Sequence, residues 1–219
     1  MKKPIDIIGK NWTLTLPSGK KDHPSELLHD GYAELSNKNF FIKDDELVFN
    51  APTDGYTTSG SHYPRCELRE MLDGGGEACW DIKKGKHSME YTVKVNHVPK
   101  TKSQIVVGQI HDDKDDVIEV RFSGGSTTEH LAVDVIHNSI NYGSLDDKYV
   151  LGSQITLKIS TTDNGFITVE NKTTRVLIKA LITKKCYFKV GSYVQSNPSK
   201  GDKHDDGEVS LLKVSVNHS

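Results

Sequence analysis

Three short stretches of the chain set chemically capable side chains at every second position. In YPRCELREM (63–71) they are Arg65, Glu67 and Arg69, with Met71 in the same phase. In VVGQIH (106–111) they are Gln109 and His111, with Val107 in the same phase. In YFKVGSYVQ (187–195) they are Tyr187, Lys189, Tyr193 and Gln195, with Gly191 in the same phase. The residues between them, such as Cys66, Leu68, Ile110, Phe188, Val190 and Val194, are mostly apolar. Side chains of a β-strand point alternately to the two faces of its sheet. Each stretch therefore reads as a strand with one face on a core and one face of forks, amides, imidazole and phenols. Polar outer faces are ordinary in antiparallel sheets, but they are usually Lys, Glu, Thr and Ser. Arg, Gln, His and Tyr instead make directional contacts.

Set side by side in one sheet, these faces would line a groove able to act on an acidic sugar. Arg65 and Arg69 offer planar forks that match carboxylates, and Glu67 between them pairs with and orients them. Gln109 can donate to a carboxyl oxygen. His111 can serve as a base near neutral pH. Tyr193 can donate or accept a proton if nearby cations lower its reference pKa of about 10. The set suits abstraction of a proton α to a carboxylate, with loss of a 4-linked sugar, because neutralising the carboxylate stabilises the enolate-like transition state.

The elements that must hold these residues are strands. The chain has 219 residues, 35% hydrophobic and 26% charged, with a formal charge of −2. That balance permits a packed core and gives no bulk electrostatic case for nucleic acid. No apolar run reaches the roughly 18–20 residues of a membrane span. Short β-type segments recur between turns: 12–16, 39–50, 65–72, 87–98, 103–111, 116–123, 130–138, 153–161, 166–171, 174–182, 186–195 and 207–217. Turns are expected at 73–75, 123–125 and 163–165, the last a hairpin signal. Only SELLHD (25–30), with Ser25 as N-cap, resembles a helix. Many short strands argue for an all-β sandwich or barrel, and with no linker or repeat a single domain over 1–219 is expected.

Together, RCELRE (65–70), QIH (109–111) and YFKVGSYVQ (187–195) resemble the three blocks of alginate lyases of polysaccharide lyase family 7, in the family's order. Cys66 departs from the Ser or Thr usual there, but by alternation it faces the core. The resemblance implies a β-jelly roll of two curved antiparallel sheets with alginate in a concave groove. It implies Arg65 and Gln109 as carboxylate neutralisers, aided by His111. It implies Tyr193 as the acid that protonates the leaving O4 and as the base for mannuronate, with His111 as the base for guluronate. Glu67, Arg69, Tyr187, Lys189 and Gln195 become binding or supporting residues. No metal or cofactor is implied. Ile110, at the centre of QIH, is associated in the family with guluronate-containing blocks.

Other readings fit less well. A retaining glycosidase needs two carboxylates on one face about 5 Å apart, and Glu67 and Glu70 have opposite phase. A non-catalytic acidic-polysaccharide-binding module would leave the His111–Tyr193 pair unexplained. The acidic runs at 111–116 and 204–206 lack the spacing of a calcium loop. The three cysteines, Cys66, Cys79 and Cys186, read as buried thiols, with one disulfide as the alternative. The start of the chain lacks the apolar stretch of a signal peptide. A secreted or extracellular mature form, acting as a monomer without nucleic-acid or membrane partners, is expected.

Overall fold

The computed structural model describes residues 2–124, 130–179 and 181–219. Two antiparallel sheets face each other as a β-jelly roll. The front sheet runs, in spatial order, β10 (Ile140–Val150), β9 (His130–His137), β8 (Asp116–Ser123), β7 (Gln104–His111), β14 (Tyr187–Val194), β5 (Arg65–Glu70), β1 (Trp12–Lys20) and β2 (His23–Leu27). The back sheet runs β13 (Arg175–Ile178), β12 (Ile167–Glu170), β11 (Ile155–Thr161), β6 (His87–His97), β15 (Asp206–His218), β4 (Glu46–Pro52) and β3 (Phe40–Lys43). Leu14, Leu68, Ile110, Val120 and Val190 of the front sheet are fully buried, as are Phe49, Tyr91, Leu157, Val169 and Val209 of the back. Each such side chain contributes roughly 1.5–3 kcal/mol on burial, which fixes which face of every strand turns inward.

Where the front sheet carries its polar face, its spacing is set by two local departures. Gly108 backs onto Tyr91: a Cβ there would lie 2.2 Å from the tyrosine hydroxyl, so only glycine fits. Next to it, Val106 pairs with Arg121 and Gly108 with Val120, which leaves Val107 as an extra residue in β7. The bulge reverses the expected phase. Val107 joins the core, and Val106 stands opposite Tyr193 on the groove side.

Other expectations are also corrected. The helix expected at 25–30 is absent. His23–Leu27 is an edge strand against β1, where Pro24 is tolerated because it has no donor to lose. The helical turn falls later, at His29–Tyr32, anchored by the Tyr32 hydroxyl donating to the Gly9 carbonyl at 3.0 Å. A second short helix, Pro4–Ile8, precedes the first strand. The segment 39–50 is a hairpin, β3 to β4, turned by Asp44 and Asp45, both with positive φ (51° and 62°). The expected hairpin at 163–165 joins β11 to β12. Strand β10 was not foreseen, because its polar residues and three breaks in register hide the alternation. Gly125 and Ala180, within an expected turn and strand, lie outside the described residues.

Candidate active site

Strand β14 lies between β7 and β5, and this order gathers the three stretches. Lys189 is in register with both Gln109 and Arg69, Tyr187 with His111, and Tyr193 with Arg65. Their side chains line a groove of about 610 Å³ that also reaches Thr13 and Thr15 of β1 and Glu26 of β2. Glu67 does not line it. It lies beneath, fully buried, and accepts from Arg65 Nη1 at 3.1 Å, from Lys189 Nζ at 2.6 Å and from the Gln109 amide. Arg65 Nε has no partner among the described residues.

Burial alone would push the Glu67 carboxyl up, but the charges of Lys189 and Arg65, with hydrogen bonds from Lys189 and Gln109, hold it below the usual range. Lys189 is brought down to about 8 by burial and by the Arg65 charge, against the pull of Glu67. His111 is held below the usual imidazole value by burial and by the Lys189 charge. Its Nδ1 lies 2.6 Å from the Asp112 carbonyl, which can only accept. The hydrogen therefore sits on Nδ1, with the Tyr187 hydroxyl 3.0 Å away as a second neighbour. Nε2 keeps its lone pair, so the neutral ring can accept a proton there.

Each tyrosine of β14 carries a guanidinium on its ring. The Arg65 carbon lies 3.7 Å from the Tyr193 centroid, and that of Arg69 lies 4.0 Å from the Tyr187 centroid. Tyr187 also stacks on the His111 ring at 5.3 Å. Arg69 is fixed from the other side by Glu77, with contacts of 3.1 and 3.2 Å. The Tyr193 hydroxyl meets Ser61 Oγ at 2.9 Å.

Gln195 is buried with its Nε2 unpartnered among the described residues, and it lies outside the groove lining. Ile110 is buried in the core, so any influence on substrate choice would be indirect. Cys66 faces the core as expected, and its thiol meets the Asn39 carbonyl at 3.2 Å. All three cysteines are free, but Cys79 is exposed on the groove rim, against the expectation of a buried thiol. His204 pairs with Asp54 at 2.9 Å, and Asp205 accepts from His97 and Lys100, both at 2.8 Å, so this acidic run ties loops together.

Sequence reasoning passed over Ser61, Glu77, Thr13, Thr15 and Glu26, which lie in loops or unremarkable strands. It also passed over Glu119 and Arg121 of β8, which pair with each other beside Gln109. Alternation in DVIEVRFS could have found that pair.

A neutral imidazole, a phenol and a carboxylate-matching guanidinium in one groove, on the face of a two-sheet jelly roll, describe an enzyme acting on a charged polysaccharide. Residues 5–218 match the family model for alginate lyase. The solved structure of alginate lyase AlgAT5 of polysaccharide lyase family 7 is 39% identical, covers 100% of both chains and superposes with a TM-score of 0.91. An alginate lyase from Corynebacterium sp. is 31% identical over 99% of this chain and 98% of its own, with a TM-score of 0.90. Family 7 alginate lyase A1-II', solved in complex with product (GGG), is 27% identical over 100% of both chains, with a TM-score of 0.82. No curated protein matches the sequence. The chain belongs to the alginate lyases of polysaccharide lyase family 7, and it is a polysaccharide lyase.

Proposed function

We propose that this chain cleaves alginate by β-elimination, with Arg65, Gln109, His111 and Tyr193 carrying the step. The observation that supports this best is the fixed tautomer of His111 in the same groove as Tyr193 and Arg65. The uronate carboxylate docks on Arg65 and Gln109; the neutral His111, its one hydrogen turned to the Asp112 carbonyl, takes no share in its neutralisation. That lowers the energy of the enolate-like state formed as the C5 proton leaves. For guluronate, Nε2 of His111 takes the C5 proton. The C4–O4 bond then breaks, a C4=C5 double bond forms, and Tyr193 gives its proton to O4. For mannuronate, whose C5 proton lies on the opposite face, Tyr193 serves as base and then as acid. Arg69, Tyr187 and Lys189 hold the frame, and Glu67 keeps Arg65 and Gln109 aimed.

Complexes solved in the family support alginate as the substrate class. Variants of A1-II' have been solved with product (GGG) and with substrate (GGMG). Polymannuronate, polyguluronate and alternating polymer, mixed separately with the protein without added metal, test the reading by ultraviolet absorbance. A rising signal marks the conjugated double bond that hydrolysis does not make. A flat trace with tight alginate binding would overturn the catalytic reading.

A further inference from the structure

Ser61 sits outside all three motif stretches, in the loop that leads into β5. Among the described residues its hydroxyl has three hydrogen-bonding neighbours. The Tyr63 carbonyl lies 3.1 Å away and can only accept; the Tyr63 amide, also at 3.1 Å, can only donate; and the Tyr193 hydroxyl lies at 2.9 Å. A serine has one hydrogen. While it points at the Tyr63 carbonyl, Tyr193 must donate to Ser61, which parks the phenol proton on Ser61 Oγ. When the Ser61 hydrogen turns to Tyr193, the phenol proton is released toward the groove and the phenol oxygen gains a donor.

The loop is built to hold this contact. The Ser61 amide donates to the Thr58 carbonyl at 3.0 Å, and Thr58 bridges to Asp22. The Asn197 amide donates to the His62 carbonyl at 3.0 Å. Lys102 donates to the Tyr63 hydroxyl at 3.2 Å and sits 4.7 Å from that ring's centroid. Three separate segments thus fix the loop on both sides of the serine.

We propose that Ser61 is a positioning residue for Tyr193, its hydroxyl parking the phenol proton at rest and donating to the phenolate oxygen once that proton has passed to O4. The inference rests on the acid role proposed above for Tyr193. The proton balance is complete: Tyr193 loses one proton to O4, and the Ser61 hydrogen changes acceptor without leaving serine. Arg65, on the ring face, supplies charge but does not occupy this in-plane position.

The test compares Ser61→Ala, Ser61→Thr and Tyr193→Phe on polyguluronate across pH, with circular dichroism to check folding. Ser61→Ala is expected to lower kcat on the order of tenfold or more, the usual effect of losing a donor to a developing anion, with KM little changed. The alkaline limb of kcat should move upward, because the phenolate has lost a donor and Tyr193 keeps its proton longer. Ser61→Thr should restore both. An unchanged limb and kcat in Ser61→Ala, or a loss confined to KM, overturns the proposal. Should Ser61→Ala fail to fold, Ser61→Cys, a weaker donor of similar size, reads the same two quantities. An active Tyr193→Phe sinks the acid role and this inference together. An inactive Tyr193→Phe beside a normal Ser61→Ala sinks this inference alone.

Discussion

The Lys189 ammonium lies 2.6 Å from the Glu67 carboxylate, and neither side chain reaches solvent to any useful extent. Removing one partner of such a pair leaves the other charge buried and uncompensated. Here Arg65 would be stranded with Lys189. Glu67→Ala is therefore expected to destabilise the fold by about 3–5 kcal/mol, read as a lower urea midpoint. A surface-like loss under 1 kcal/mol would mean that water reaches the cluster.

Tyr193→Phe removes one hydroxyl and leaves the ring that Arg65 covers. Folding should be intact by circular dichroism, and turnover should fall by about 10²–10⁴-fold or more, the range for a lost general acid. Normal activity in this variant would end the acid assignment.

His111→Ala should harm cleavage of polyguluronate more than that of polymannuronate, since in the proposed step only the first uses Nε2 as base. Burial and the Lys189 charge keep the imidazole below its ordinary value. The acid limb of guluronate cleavage should accordingly fall below about pH 6.5. Equal losses on both polymers would recast His111 as a carboxylate partner only.

Asp116 lines the groove beside the β7–β8 turn. Burial, the Glu119 charge and Asp115 raise its carboxyl from 3.8 to about 7. Between those values the folded chain binds more protons than the unfolded one. Stability from this group is therefore lost as pH rises from about 4 through 7 and stays lost above. Asp116→Asn should raise the melting temperature at pH 8 and leave it nearly unchanged at pH 4. An equal shift at both values would show a packing effect instead of a titration.

Much of this was legible in the chain itself. Alternation in residues 65–70 and 187–195 placed Arg65, Glu67, Arg69, Tyr187, Lys189 and Tyr193 on the correct face, because burial of the opposite face enforces a period of two. The same logic failed at Val107, where a bulge adds a residue without any mark in composition. It also failed at β10, an edge strand with little core to bury and therefore little pattern to read. Glu67 looked like an orienting partner for two arginines. Its real partners are Arg65, Lys189 and Gln109, while Arg69 turns to Glu77. That division depends on which strands are neighbours, which alternation within one strand does not encode. Ser61 was invisible for the same reason: 132 residues separate it from the hydroxyl it meets.

The placing of β14 between β7 and β5 also bears on how the molecule comes to be folded. Arg65 and Gln109 belong to strands that touch β14 and not each other. Until residues 187–194 insert, the front sheet is two separate pieces, and β15 divides the back sheet in the same way between β4 and β6. Such non-local pairing is slow to form. Catalytic competence should thus emerge all at once and late during refolding, with no partly active intermediate on the way.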